Sequence, residues 1–382
     1  MAMVDELSSG ERSIMSTIPF SPREDPTATE PLRVLFVWPG AEMAISDVAT
    51  GYANALKAAG HHLTDYILTK RLIYHITATR RYAEETDNRT LESAKSDVRL
   101  MAKMASECIL PEAIYCEADV VVVVSGLNLW PGALHLLRWA GIPTVCILTE
   151  SPYEDNEQVE WVQANPDALV FTNERYSAST HDGWGYLPSS HDPMIHKPVD
   201  PDPEAACDVL FLGSGFADRQ AFFESVDWTG VDLRLLGPWP NMTDESPLAQ
   251  FQNGHCIDNN LAPSYYRAAK ININLHRSHG QAYSANPRTY EVAASEAFQI
   301  SDERQEVIDI FGESVPTFRD AVGLRLLIDR YLHDEPMRRR LAAEARNRVA
   351  PHTFAFRAEK VVRAIRDVLA QRHRAGIHQR GR

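Results

Sequence analysis

Five valines in a row, Val120–Val124 within ADVVVVVSG, leave few ways to fold. A strand with one wet face alternates apolar and polar residues. A strand without alternation must be covered on both faces, the condition of an inner strand in a parallel sheet. PTVCILTE (Pro143–Glu150) repeats the pattern after a helical segment over Leu129–Ala140. Parallel neighbours need crossover connections, and the flanking sequence supplies them. LRVLFVW (Leu32–Trp38) reads as a strand, ISDVATGYANALKAAG (Ile45–Gly60) as an amphipathic helix stopped by Gly60, and HLTDYIL as a second strand. A long helical stretch is expected from about Thr90 to Ile114, with a break at Pro111, and DALVFTN (Asp167–Asn173) is a further strand. The sum is a doubly wound, Rossmann-like α/β unit.

The rhythm stops at Tyr186–Ala206, where five prolines predict a stiff connection. It then restarts. CDVLFLGSG (Cys207–Gly215), VDLRLLG, ININL and FQIS are strands. SYYRAAK, a segment opening at Asn286 and one near Glu303–Ile310 are helices. Helices over Asp320–His333, Pro336–Ala350 and about Phe354–Gln371 close the chain. For 382 residues two domains are expected. The division is a disordered tail at 1–30, a first Rossmann-like domain at 31–190, a Pro-rich linker at 191–206, a second Rossmann-like domain at 207–352, a crossover helix at 353–371 and a basic tail at 372–382. Ligands of such sheets bind beyond the carboxyl ends of the strands, so the cleft between the halves is the expected site.

A net charge of −14 speaks against nucleic-acid binding through general basicity. Lys70-Arg71 and Arg80-Arg81, expected near a loop over the cleft, are the local exception. No apolar run approaches the ~20 residues of a membrane helix, and the N-terminus lacks the basic start and apolar core of a signal peptide. Five cysteines without a CxxC pair point to a reducing, cytoplasmic setting.

Two stretches carry candidate chemistry. In FLGSGFADRQ (Phe211–Gln220), Gly213-Ser214-Gly215 join a strand to a helix. Glycines allow close backbone approach, a helix N-terminus offers amides to an anion, and Arg219 lies one turn in. A plain tight turn fits this stretch equally well. In NPRTYEVAASEAFQISD (Asn286–Asp302), Asn286 is a plausible N-cap and Pro287 a first helical residue. Arg288 then suits a diphosphate through its planar fork, and Glu291 suits the two hydroxyls of a ribose. The helix dipole alone would explain Glu291 but disfavours Arg288 there. The preceding segment holds Arg267, Lys270, His276, Arg277 and His279 with no acidic residue among them, which favours an anionic ligand. On the opposite wall, loops after strands carry Ser46-Asp47, Ser125–Asn128 and Glu150–Glu154. Glu150 and Asp47, with Asn128 beside them, are the candidates to handle an acceptor proton. Helix capping by Asp47 and loop support by Glu150 remain open. DPD at Asp200–Asp202 lies in the linker and not at a strand end, so no metal is expected.

The motifs DVLFLGSGFADRQ, YYRAAKININLHRS, NPRTYEVAASEAFQISD, VIDIFGESVPTFRD and RVAPHTFAFRAEKV together resemble the CgeB-like (spore maturation) glycosyltransferase family of GT-B fold. LRVLFVWP, AGIPTVCILTESPYE and ALVFTNE extend the likeness over most of Leu32–Ile365. The resemblance implies a UDP- or GDP-linked sugar donor held by the second domain, an acceptor held by the first, no further cofactor, and a last helix packing back on the first domain. It places Glu291 on the ribose, and Arg288 and Gly213–Gly215 at the phosphates. Ser284 and Asn286 stand among the expected donor contacts. Two positions depart from the family pattern: Ser295-Glu296 replace a Cys-Gly pair, and Tyr283 stands where related enzymes often carry a second glutamate. A glycosyltransferase acting on a protein, glycan or small-molecule hydroxyl is the first expectation. One acting on a modified DNA base, a non-catalytic nucleotide-sugar binder and a sugar-nucleotide epimerase are the alternatives.

Overall fold

The computed structural model describes residues 30–40, 45–86, 98–153, 155–252, 256–277 and 282–380. The expected tail, the start of the long helical stretch, Glu154 and His279 fall outside the described residues, the first except for Glu30. The first unit runs β1 Arg33–Trp38, α1 Ser46–Ala58, β2 His62–Ile67, α2 Leu68–Thr86, α3 Val98–Glu107, α4 Ile109–Tyr115 and β3 Val120–Val124. It continues with α5 Pro131–Trp139, β4 Thr144–Leu148, α6 Asp155–Ala164, β5 Leu169–Thr172, α7 Arg175–Thr180 and β6 Trp184–Tyr186. Its parallel sheet has the order β2-β1-β3-β4-β5-β6.

Every residue of β3 and β4 is buried, as the unbroken apolar runs demand. Val121, Val123 and Cys146 point to a layer that includes Ile109, Leu134 and Leu137. Val120, Val122, Val124 and Val145 point to the other layer, with Ala49, Tyr52 and Leu56 of α1.

The second unit runs β7 Cys207–Leu212, α8 Ala217–Glu224, β8 Leu233–Leu236, α9 Ala262–Ala268, β9 Ala269–Asn274 and α10 Pro287–Ala294. It ends with β10 Gln299–Asp302, α11 Gln305–Phe311, β11 Thr317–Phe318, α12 Ala321–Leu332 and α13 Glu335–Val349. Its parallel sheet has the order β11-β10-β9-β7-β8. The strand order reverses at β1 in one sheet and at β7 in the other. The carboxyl ends of these two strands are therefore the switch points where crevices form.

A final helix, α14 Phe354–Arg380, returns to the first unit. Phe354, Ala358, Val361 and Ile365 join the layer over α1. The Phe354 ring lies so near Gly51 that a Cβ there would meet it at 2.3 Å. Where the chain enters and leaves the second unit, the two strands touch. His191 bridges to Thr353, its amide donates to the His352 carbonyl at 3.1 Å, and Phe354 donates back to the His191 carbonyl at 3.2 Å.

Several expectations are corrected. The helical break falls at Cys108, not Pro111. Pro111 sits in the first turn of α4, where its missing amide costs nothing. Lys70-Arg71 and Arg80-Arg81 lie on α2 and not on a loop. Arg71 pairs with Glu112 at 2.9 Å, Arg80 with Glu84 at 2.9 Å and Arg81 with Glu85 at 2.8 Å, so these arginines are spoken for. The last helix continues through most of the expected basic tail, and Arg372 donates to the Gly141 carbonyl at 2.7 Å. Asp202 of the DPD triplet caps the short turn Pro203–Ala205 by accepting the Glu204 amide at 2.9 Å.

Candidate active site

Both switch points open on one cleft of about 670 Å³. Ser46 and Asp47 reach it from the start of α1. Leu212 ends β7 and Gly213 and Ser214 follow it, Gly237 and Pro238 follow β8, and Asn286, Pro287, Arg288 and Glu291 come from the start of α10.

The two glycines after β7 serve close approach. A Cβ on Gly213 would stand 2.8 Å from Nη1 of Arg288, and one on Gly215 would stand 2.0 Å from the Trp239 ring. Gly213 makes room for a guanidinium in the cleft. Gly215 makes room for an indole behind it and does not line the cleft. At the start of α8, Phe216 supplies no side-chain cap. Arg219, 8% exposed, folds back and donates from Nη1 to the Ser214 carbonyl at 2.9 Å.

Arg219 and Arg288 thus lie near one another on the cleft wall. The Nε atoms of both are buried without a hydrogen-bond partner. Burial, then the nearby charge of Arg288, bring the Arg219 guanidinium down to about 10. A buried and a half-buried cation side by side, each with an unmet Nε donor, are a costly arrangement in an empty protein, and an anion is what would satisfy them.

Asn286 caps α10, its Oδ1 accepting the Thr289 amide at 3.0 Å, with Pro287 at the first helical position. Val292, Ala293 and Ala294 are buried, which seats the helix on the sheet. Buried Tyr266 donates its hydroxyl to Glu291 at 3.2 Å, holding the carboxylate at the cleft wall. Across the gap Asp47 is pushed up to about 6, by burial first and by Glu291 second. His196, Asp258 and Arg288 also face it.

The structure brings Gly213, Ser214, Arg219, Asn286, Arg288, Glu291 and Asp47 to one cavity. It places other candidates elsewhere. His276 sits beneath the cap: it pairs with Asp302 through Nδ1, and its Nε2 accepts the Asn286 amide at 2.9 Å. Arg277 stacks on the Tyr153 ring at 4.1 Å, and its carbonyl accepts from Tyr153 at 3.0 Å, a clasp between domains. Ser284 lies in the same seam, accepting the Arg175 amide at 3.2 Å. Glu150 is half-buried with Thr149 at 3.4 Å, and Asn128 is exposed in a left-handed turn. Neither lines the cleft. Arg267 donates to the Ser295 and Glu296 carbonyls, and Lys270 pairs with Asp208 at 2.7 Å, so those two cations serve the fold.

The departure at Ser295-Glu296 has a physical account. Glu296 follows α10 with φ of 55°, the left-handed position at which a glycine ends a helix without strain. Its carboxylate pairs with Arg346 at 2.7 Å, and Ser295 Oγ donates to the Glu291 carbonyl at 2.8 Å. Tyr283 is turned from the cleft, with its ring under Arg175 and its hydroxyl on Asp309.

A family model of glycosyl transferase-like proteins matches residues 219–363. Spore protein CgeB of Bacillus subtilis is 23% identical over 243 residues, which cover 58% of this chain and 74% of that protein. Among solved structures, sucrose-phosphate synthase from Thermosynechococcus elongatus superposes with a TM-score of 0.61 at 14% identity, covering 89% of this chain and all of that one (100%). The E. coli trehalose-6-phosphate protein bound with UDP-2-fluoro glucose gives 0.55 at 11% identity, with coverage of 87% and 99%. At these identities the structural likeness establishes the fold, GT-B.

Proposed function

We infer that the chain, a distant member of the CgeB-like glycosyltransferases with the GT-B fold, binds a nucleotide diphosphate sugar in the interdomain cleft and passes the sugar to an acceptor hydroxyl. The observation that carries this reading is the pair of buried Arg219 and half-buried Arg288, side by side with unmet Nε donors against a glycine loop. A diphosphate supplies both the charge and the acceptors they lack. Glu291, held by Tyr266, then takes the ribose hydroxyls. The UDP-2-fluoro glucose bound to the E. coli neighbour makes UDP the first nucleotide to try.

Catalysis in this arrangement is electrostatic. The two guanidiniums stabilise the departing diphosphate, the task a divalent metal performs elsewhere, and the reaction proceeds without one. Asp47 is the candidate to accept the acceptor's proton, because a carboxylate held near 6 is a better base than an ordinary one. A protein, glycan or small-molecule hydroxyl suits the first domain better than DNA, since the basic pairs of α2 are largely matched by carboxylates.

Calorimetry with UDP and GDP tests the reading. Wild type should bind one of them, with or without EDTA, and Arg288→Ala and Glu291→Ala should each weaken it at least tenfold. No binding at millimolar nucleotide would refute it. A second reading, a non-catalytic binder, draws on Tyr283, which is turned away from the cleft where related enzymes carry a carboxylate. Donor hydrolysis by wild type, lost in Arg288→Ala, would rule that out.

A further inference from the structure

We propose that Glu174, a residue of the first domain, is a positioning residue for the donor site in the second: its carboxylate holds the backbone that leads into α10. The proposal rests on reading α10 as the donor helix.

Four consecutive amides before that helix are accepted by side chains. Tyr283 donates to Glu174 Oε1 at 3.0 Å and Ser284 to Glu174 Oε2 at 3.0 Å. Ala285 donates to Glu306, and Asn286 to His276 Nε2 at 2.9 Å. The next residue is Pro287, which has no amide. The segment 283–286 therefore takes its shape from three side chains and not from a strand ladder. His276 and Glu306 belong to the second domain. Glu174 does not: it stands two residues after β5 and caps α7, accepting the Tyr176 amide at 2.9 Å, and is 2% exposed. Its neighbour adds to the hold. The Arg175 amide donates to Ser284 Oγ at 3.2 Å.

Each oxygen of Glu174 is committed to a different amide of the segment. Ser284 is two residues from the Asn286 cap and four from Arg288. A displacement of the first domain must either break these bonds or drag the start of α10. The placement of Arg288 and Glu291 is thus set in part by the domain expected to hold the acceptor. Glutamine at 174 has nearly the same size but turns one acceptor into an NH₂ donor that opposes an amide.

The test uses the full chain, with Glu174→Gln and, as a control in the same seam, Tyr283→Phe, which keeps the main-chain amide. Calorimetry with UDP and GDP should show Glu174→Gln about tenfold weaker, the loss expected for one charge-assisted hydrogen bond, and Tyr283→Phe within about twofold of wild type. Amide exchange over 283–286 should quicken in Glu174→Gln. In an Arg288→Ala background Glu174→Gln should cost less than about threefold, because the group being aimed is gone. A loss of equal size in both backgrounds would make Glu174 merely structural and overturn the proposal. Unchanged nucleotide affinity despite quickened exchange would also overturn it. Should Glu174→Gln fail to fold, Glu174→Asp, which keeps the charge but withdraws it, is expected to give an intermediate loss, and wild-type affinity there counts against the proposal. Failure of wild type to bind either nucleotide refutes instead the reading of α10 as the donor helix.

Discussion

Arg288→Met should change binding and stability in opposite directions. Methionine keeps an apolar stem beside Gly213 and removes the charge, so lost packing does not cloud the comparison. On the binding side, a guanidinium making two charge-assisted hydrogen bonds to a diphosphate is worth about 2–4 kcal/mol, or roughly 30- to 1000-fold in Kd. On the stability side, the removal is a relief. Arg219 is held near 10 against an ordinary 12.5, which disfavours its charged form by about 3 kcal/mol. Burial is the larger cause and Arg288 the second, so removing Arg288 relieves part of that penalty, offset by the loss of its attraction for Asp47. The ligand-free variant should therefore be as stable as wild type or about 1 kcal/mol more stable by denaturant unfolding, and calorimetry should show nucleotide binding lost or crippled. A variant that binds like wild type, or whose ligand-free form is destabilised by more than about 1 kcal/mol, would refute the picture of two cations awaiting an anion.

Other outcomes follow from the same geometry. Asp47 is held near 6, and an arriving diphosphate disfavours its charged form further, so binding should take up a proton. Nucleotide-sugar affinity should rise as pH falls through about 6, and Asp47→Asn should flatten that slope. The same raised value means that this group stabilises the fold at low pH and loses that contribution as pH rises from 3.8 to about 6. At Glu296, glycine should be favoured over alanine by about 1 kcal/mol, the reverse of the usual helix preference, because the position is left-handed; an alanine variant as stable as the glycine one would contradict this. Ending the chain at 353 strips four buried residues from the layer over α1 and should unfold the first domain, whereas ending it at 371 should cost about 1 kcal/mol or less. Equal melting points for the two truncations would refute the role given to α14.

The architecture was legible because it rests on local patterns. Val120–Val124 could only be an inner strand, and the proline-rich stretch at 186–206 could only separate two such units. The helix cap at Asn286 and Pro287 was legible for the same reason. The boundaries and roles that misled depend on partners far along the chain. Arg267 and Lys270 look like ligand-binding cations until Ser295 and Asp208 are found beside them. Arg277 and Ser284 lie in the seam because first-domain residues occupy them. Glu174 and Glu306 were missed outright, since a carboxylate that accepts distant amides leaves no periodicity in its own neighbourhood. The strand-to-helix junction VFTNE was the one local sign that Glu174 stands just beyond the carboxyl end of a strand, on the side where the cleft opens.

The contact of His191 with His352 and Thr353 has a mechanical consequence. The second domain is inserted into the first, and both of its connections pass through one point, hydrogen-bonded side by side. A single tether would let the domains swivel in any direction. Two strands joined at their crossing behave as a door hinge, with one easy axis and stiff resistance to twist or shear. Any swing about this crossing would part Asp47 from Glu291, and it would also have to break the bonds of Glu174 and Tyr153 to the second domain.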